Sequence, residues 1–422
     1  MHDSSYAPRS TTAACVQSTR RSGNRAANLV LLLAAFIVIE LLLQLASLAS
    51  VTVARVVTAP AEVDAVFVPD DRLLYRGNPL KPDHDAAGYR NEQRPRSADI
   101  VVLGDSQTYG PSDPHDAWPR ILSGRLHRTV YNMALPGYGP GQSLLQLADA
   151  LSLRPTQLIE ALYVGNDFHD AFLIARRHPE LAAGVPAALG AEAEARETEH
   201  PFYKDTVALF TPDFASPSTT YVGLGRLWIS QHLKLYGLLR AVKYRVTGPD
   251  APPPLFSRQF TTAAAGLSSP RQREFASIFD GGDWRTILTA PYRARPLDDR
   301  DPRIRMGLIV AQHALSLIQR RCRAAGVDFL VVHIPTKESV FWPRVSDPAA
   351  HPGLQKLVTD EAKLKEQLTS EMRRNGIASL DLLDALRSSS VQPYFEDADS
   401  HPNAAGHRVI AARVAEYLAR RE

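Results

Sequence analysis

The sequence predicts a three-layer α/β/α fold built on a five-stranded parallel sheet, with a helical insertion and an N-terminal transmembrane helix. Three observations predict it. Short runs rich in Leu, Ile and Val recur at 100–103, 129–134, 158–164, 329–334 and 377–382, the length and composition of buried parallel strands. Segments with apolar residues at helical spacing separate most of these runs, as β-α-β units require. From Leu29 to Ala54 the only strongly polar side chains are Glu40 and Gln44, and this run exceeds the roughly 20 residues that cross a bilayer as helix.

Composition bounds the function. A chain of 422 residues with 45% hydrophobic content can bury one large core or two smaller ones. Lys and Arg number 48 against 45 Asp and Glu, a net charge of +3 spread along the chain, which argues against nucleic acid as a partner. The two cysteines, Cys15 and Cys322, stand far apart in different contexts and suggest neither a disulfide framework nor a metal site.

In chain order, residues 1–28 are rich in Ser, Thr, Ala and Arg without apolar period and read as a disordered tail. Residues 29–54 form the membrane anchor. Their Leu, Ile, Val and Phe contribute roughly −5 to −10 kcal/mol to insertion, against about +3 for one central acid. Arg9, Arg20, Arg21 and Arg25 precede the run, while Glu62, Asp64, Asp70 and Asp71 follow it, so the tail is expected in the cytoplasm and the rest outside. A cleaved signal, processed near Ala46-Ser47-Leu48-Ala49, and a buried core helix are the competing readings; the length of the run favours an uncleaved anchor. Glu40 would contact another membrane helix or serve as a proton site, or it would snorkel, and snorkelling is the expected outcome. Residues 55–96 are rich in Pro, Asp and Arg and read as a linker, with Gly88-Tyr89-Arg90-Asn91 as a surface turn.

The strand at 100–103 runs into Gly104-Asp105-Ser106-Gln107-Thr108-Tyr109-Gly110. The turn after such a strand is where open α/β sheets expose reactive groups, so Ser106 is a candidate nucleophile as well as a plain helix cap. Trp118, Ile121, Leu122 and Leu126 form a helical apolar stripe. The strand at 129–134 ends in Leu135-Pro136-Gly137-Tyr138-Gly139-Pro140-Gly141, a glycine turn whose backbone N–H groups could hold an oxyanion or only reverse the chain. The strand at 158–164 ends in Gly165-Asn166-Asp167.

Periodicity loosens across 172–305, read as an insertion long enough for a lid or docking surface. It holds an Ala- and Glu-rich stretch at 181–197, an amphipathic helix at 233–240 and a Pro-rich loop at 248–254. Helices near 304–325 and 354–372 frame the strand at 329–334 and lead to the one at 377–382. Lys337 and Glu338 follow the strand at 329–334 in a loop facing the same sheet edge as Ser106; they could contact substrate, but a solvated ion pair is the expected outcome, and Cys322 reads as a packing residue. The closing stretch runs from Asp397 through Asp399, His401, Pro402 and Asn403 to His407. Pro402 suits a first helical position, which puts His401 at the mouth of the last helix; His407 reads as a surface cap.

These blocks occur in an order that resembles the SGNH/GDSL hydrolase superfamily over about residues 97–420. They are Gly-Asp-Ser-x-Thr-x-Gly at Ser106, the glycine turn at Gly137, Gly165-Asn166-Asp167 with one intervening residue absent, and His401-Pro402-Asn403. The resemblance implies a flavodoxin-like sheet, Ser106 as nucleophile, Gly137 N–H and the Asn166 side chain as oxyanion donors, and His401 as base. Many relatives carry Asp-x-x-His, but Ala398 stands at that position. Asp399 gives Asp-x-His instead, similar to the polysaccharide O-acetyltransferase branches, including alginate-modifying ones. Asp399 is therefore expected to orient His401, with Asp397 a solvated loop acid that spacing alone does not exclude. The implied activity is a serine esterase or O-acyl (acetyl) transferase acting outside the cytoplasm on a glycan or other small-acyl ester, without metal or cofactor. A multi-pass membrane acyltransferase is the candidate partner. The alternatives are a lipase- or thioesterase-like hydrolase and a non-catalytic glycan-binding or assembly module.

Overall fold

A computed structural model describes residues 18–58, 63, 65–111, 113–202, 229, 232–247 and 258–421. The chain divides into two compact units, residues 1–64 with 218–249 and residues 65–217 with 250–422. Cys15 and the Pro-rich loop at 248–254 lie outside the described residues.

In the first unit a helix spans Ser18–Ala49, so it begins inside the stretch expected as a tail. Its segment Arg25–Ala49 has a mean hydropathy of 2.7 and mostly exposed side chains, and is long and apolar enough to cross a membrane. Ser50 then caps a short helix, Val51–Val57, accepting the Val53 N–H at 3.4 Å. Glu40 does not snorkel. Its carboxylate accepts the backbone N–H groups of Lys234 and Leu235 at 2.8 and 2.9 Å, at the start of a helix spanning Lys234–Thr247, and the Gln44 side chain at 2.6 Å. The first N–H groups of a helix lack intrahelical partners and carry partial positive charge, which is what an acid in an apolar helix needs beside it.

The second unit is organised by its sheet. Strands β1 (Phe67–Asp70) and β2 (Leu74–Gly77) make a separate antiparallel hairpin. The five-stranded sheet contains β3 (Ile100–Gly104), β4 (Val130–Asn132) and β5 (Gln157–Tyr163). A second hairpin, β6 (Ser277–Asp280) with β7 (Arg285–Leu288), lies within the expected insertion. Strands β8 (Asp328–Ile334) and β9 (Ala378–Asp381) complete the sheet, in the order β4-β3-β5-β8-β9. Every pairing in it is parallel. This is the flavodoxin-like order, in which the chain steps from β3 to β4 and then back across to β5.

That reversal fixes the layers. Right-handed crossovers moving in opposite directions along a sheet place their helices on opposite faces. Helix Trp118–Leu126 therefore covers one face, where it packs against the last helix, Ala404–Ala419. Helices Pro140–Ser152, Asp167–Arg177 and Pro302–Ala324 cover the other and pack on one another. With helices on both faces, β3 is buried at every residue, which is why its sequence is an unbroken apolar run rather than an alternating one.

The reversal also leaves a crevice at the carboxyl ends of β3 and β5, where open sheets of this kind bind ligands. Gly104 at the end of β3 has φ 143°, and a Cβ there would stand 2.6 Å from the Ala161 carbonyl oxygen on β5, so only glycine lets the strands close here. The next residues are Asp105 and Ser106.

Candidate active site

Ser106 opens a one-turn helix, Ser106–Tyr109, whose cap is Asp105. The buried Asp105 carboxylate accepts the Gln107 N–H at 2.9 Å, so the serine hydroxyl is not spent on capping. Burial raises the Asp105 carboxyl, the charge of His401 opposes it, and the balance is about 6. Behind this turn Gly88-Tyr89-Arg90-Asn91 is not a surface turn. Arg90 is buried, stacks on Tyr109 at 4.7 Å, pairs with Asp83 at 2.7 Å and donates to the Gly110 carbonyl at 3.0 Å. It braces the far side of the turn that presents Ser106.

His401 Nε2 lies 2.7 Å from Ser106 Oγ. Its other ring nitrogen, Nδ1, hydrogen-bonds Asp399 Oδ1, which also accepts the His401 backbone N–H at 2.9 Å. A carboxylate on Nδ1 selects the tautomer that leaves Nε2 free to accept the serine proton. The two-residue spacing makes this possible because the loop folds back on itself, so one oxygen meets both N–H groups of His401. Asn403 then caps the last helix by accepting the Ala405 and Gly406 N–H groups at 2.9 and 3.1 Å. Burial would raise the Asp399 carboxyl, but His401 and Arg258 outweigh it and hold it far below the usual carboxylate range.

Gly137 and Asn166 follow β4 and β5, the two neighbours of β3. The Leu135 N–H bonds the Gly104 carbonyl at 3.1 Å, tying the Gly137 turn to the Ser106 turn. Gly137 has φ 75°, and a Cβ there would lie 2.4 Å from the Tyr75 hydroxyl. Asn166 Nδ2 donates to Asp170 at 2.5 Å, using one of its two hydrogens. Burial pushes the Asp170 carboxyl up to about 8. Asp167 is buried and accepts the Tyr163 N–H at 2.8 Å, a structural use of the third residue in that block.

Four further residues around the site depart from the sequence expectation, all by being buried. Lys337 is fully buried, and its ammonium donates to the Asp397 and Asp399 carbonyls at 2.9 and 2.8 Å and to Thr286 Oγ1 at 3.1 Å. Burial pulls it down to about 8 against the opposing charges of Glu338 and Asp399. Glu338, also buried, accepts the Thr289 N–H at 2.9 Å instead of pairing in solvent. Asp397 is buried beneath the loop and accepts the N–H groups of Asp399 and Arg258 at 3.0 and 2.9 Å. His407 lies inside the last helix, where its Nδ1 accepts the Trp118 N–H at 3.1 Å and burial lowers its basicity to about 3. Lys337 was placed by the sequence at the sheet edge of Ser106 but read as solvated, whereas nothing local marks Arg258, an Arg after a Pro-rich loop, as a site residue.

Among the described residues no group of three His, Cys, Asp or Glu side chains is placed to hold a metal ion. A groove of about 630 Å³ runs past Arg90, Arg120, Tyr131 and Asn132, away from Ser106 and His401.

Residues 299–422 match the family model described as the SGNH hydrolase-like domain of the acetyltransferase AlgX. The resemblance to the SGNH superfamily, and within it to an acetyltransferase branch, is borne out by this match over residues 299–422. The matched segment holds Lys337, Asp399 and His401; Ser106, Gly137 and Asn166 lie before it. No curated protein matches the chain. Among solved structures, a G-D-S-L family protein from Desulfitobacterium hafniense aligns over 75% of this chain and 97% of its own, at 10% identity and a TM-score of 0.32. A GDSL-like lipase from Bacteroides thetaiotaomicron aligns over 76% of this chain and 88% of its own, at 10% identity and a TM-score of 0.29.

Proposed function

We propose that the protein is a membrane-anchored serine O-acyltransferase or esterase, with residues 97–420 as the catalytic domain, acting outside the cytoplasm on small acyl esters of a glycan. The observation that carries this reading is the continuous relay from Ser106 Oγ through His401 to Asp399. Ser106 attacks the acyl carbon while its proton passes to His401 Nε2. The imidazolium so formed is held by Asp399, and the oxyanion takes N–H groups of Ser106, Gly137 and the free Nδ2 hydrogen of Asn166. His401 returns the proton to the leaving oxygen, which departs as an alcohol. An acceptor hydroxyl, or water, then gives its proton to His401 and attacks the acyl-serine; the acyl–Oγ bond breaks as His401 returns that proton to Ser106 Oγ, which restores the resting relay.

The preference for transfer to a glycan rests on the Asp-x-His spacing and the acetyltransferase family match. Export rests on the apolar helix and the arginines before it; a multi-pass acyltransferase would deliver the acyl group from the other side. The test is labelling of the full-length protein with a fluorophosphonate probe, with Ser106→Ala as control, followed by hydrolysis of an activated acetyl ester with and without sugar acceptors. Labelling at Ser106 and faster turnover with acceptor are expected. No labelling at all favours a binding or assembly module, and efficient long-chain hydrolysis indifferent to acceptors favours a lipase.

A further inference from the structure

The two oxygens of Asp399 face different partners. Oδ1 is taken by His401. Oδ2 accepts the guanidinium of Arg258 at 2.5 Å, an arginine that lies 141 residues earlier, within the stretch between β5 and β8 and ahead of the β6–β7 hairpin. Arg258 is held there in three ways besides this bond. Its own N–H donates to Asp397 Oδ2 at 2.9 Å, its backbone sits in the left-handed region at φ 65°, and its guanidinium lies 3.8 Å over the Phe395 ring. Backbone strain at a non-glycine residue persists only where the surroundings insist on it. A stray surface arginine would show none of these.

We infer that Arg258 is a positioning residue for acyl transfer: it clamps the outer oxygen of Asp399, fixing the carboxylate plane for His401 and drawing off part of the negative charge that stabilises the His401 imidazolium. The clamp keeps His401 available as a base at lower pH, and it places the insertion's return segment in control of the acid member of the relay. The inference rests on the catalytic reading of Ser106, His401 and Asp399. Other charges face the same pair: Asp105 beneath Ser106, Lys337 and Asp397 beneath the loop, His407 in the last helix, and Arg293, which donates to Ser400 Oγ at 3.0 Å. Of these only Asp397 also faces the Arg258 guanidinium, its Oδ1 lying 3.6 Å from Nη1.

The experiment measures kcat/KM of the full-length protein for p-nitrophenyl acetate across the pH range, for wild type, Arg258→Ala and Arg258→Lys, and follows the His401 imidazole of the same proteins by NMR with His401→Ala for assignment. In Arg258→Ala the acidic limb moves up by about half a pH unit, so the loss at about pH 6 is roughly threefold larger than the loss at about pH 8, and the imidazole titration moves with it. Arg258→Lys keeps the cation and restores the limb, while losing the planar stack on Phe395. An unmoved limb and an unmoved imidazole in Arg258→Ala, with only a uniform rate loss or a lower Tm, overturn the inference. If Arg258→Ala fails to fold, Arg258→Met, which keeps the apolar contact to Phe395, gives the same reading. A wild-type protein that hydrolyses no ester sinks the catalytic reading, and the imidazole titration still decides whether Arg258 tunes His401.

Discussion

The two sides of the candidate site are built differently. The nucleophile side consists of three consecutive strand ends, with Ser106, Gly137 and Asn166 each following its own strand, capped locally as Asp105 caps the Gln107 N–H, and tied together by backbone bonds such as Leu135 to Gly104. The base side is one loop, Asp397 to His401, suspended on charges from distant segments: Lys337 below and Arg258 above. Backbone geometry is stiff and tolerant of single substitutions, whereas a loop held by buried charges depends on every partner. Substitutions on the first side should therefore remove chemistry and spare the fold, and several on the second should damage both.

The largest effect tests the first half of that contrast. Ser106→Ala and His401→Ala should each lower turnover by about 10⁶, as in serine-protease triads, with Tm nearly unchanged for Ser106→Ala because Asp105 rather than Ser106 caps the turn. Residual fluorophosphonate labelling of Ser106→Ala would break the assignment. Next comes the acid. Asp399→Asn favours the wrong histidine tautomer and should cost up to roughly 10⁴ in acyl-enzyme formation. Asp397→Asn acts through stability instead: it leaves one of two backbone donors facing an amide, a loss of about 1–3 kcal/mol read as a lower Tm. Exchanged effects would mean that Asp397 orients His401.

Asn166→Ala should lower kcat about 10²- to 10³-fold while leaving KM close to wild type, since an oxyanion donor acts mainly in the transition state. An effect confined to KM would place Asn166 in substrate binding. Lys337→Met removes three hydrogen bonds at once and strands two carbonyls beneath the loop, so Tm should fall by several degrees and activity with it. Activity lost without any change in Tm would show that the loop does not hang on this ammonium.

The smallest effect concerns pH and lies beneath the nucleophile side. Burial raises Glu160 in β5 from 4.5 to about 8, with the Ser143 hydroxyl as its one donor among the described residues. The folded chain thus keeps a proton that the unfolded chain releases, so this contribution to stability is full below about pH 4.5 and is lost as pH rises towards about 8. Asp170, raised to about 8, acts with the same sign. Glu160→Gln should flatten the decline in Tm between about pH 5 and 8. An identical slope in the variant would mean that Glu160 ionises as freely as it does in the unfolded chain.

The five strands and the residues at their ends were legible because a buried parallel strand writes itself as a continuous apolar run, and a reactive group at its carboxyl end must follow directly. Ser106, Gly137 and Asn166 need no distant information to be placed at one edge of one sheet. Asp399 and His401 were legible for a similar reason, being two residues apart with Pro402 and Asn403 starting a helix beside them. The errors share one cause. Lys337, Glu338, Asp397 and His407 were expected in solvent, because a polar side chain reads as solvated unless its partners are known. Each partner came from elsewhere in the chain: Thr286, Thr289, Arg258 and Trp118.

Glu40 makes the same point within the first unit. The apolar run around it determined a helix able to cross a bilayer, since length and hydrophobicity are properties of the segment alone. That its carboxylate would cap the helix at Lys234–Thr247 depended on residues nearly 200 positions away. By itself the sequence determined the strands, the residues at their ends, the spacing of Asp399 and His401, and the long apolar helix, because all of these follow from local periodicity and turn geometry. Only the tertiary structure decided which charges are buried and what neutralises them, because the cost of burying a charge is set by partners that short-range sequence does not contain.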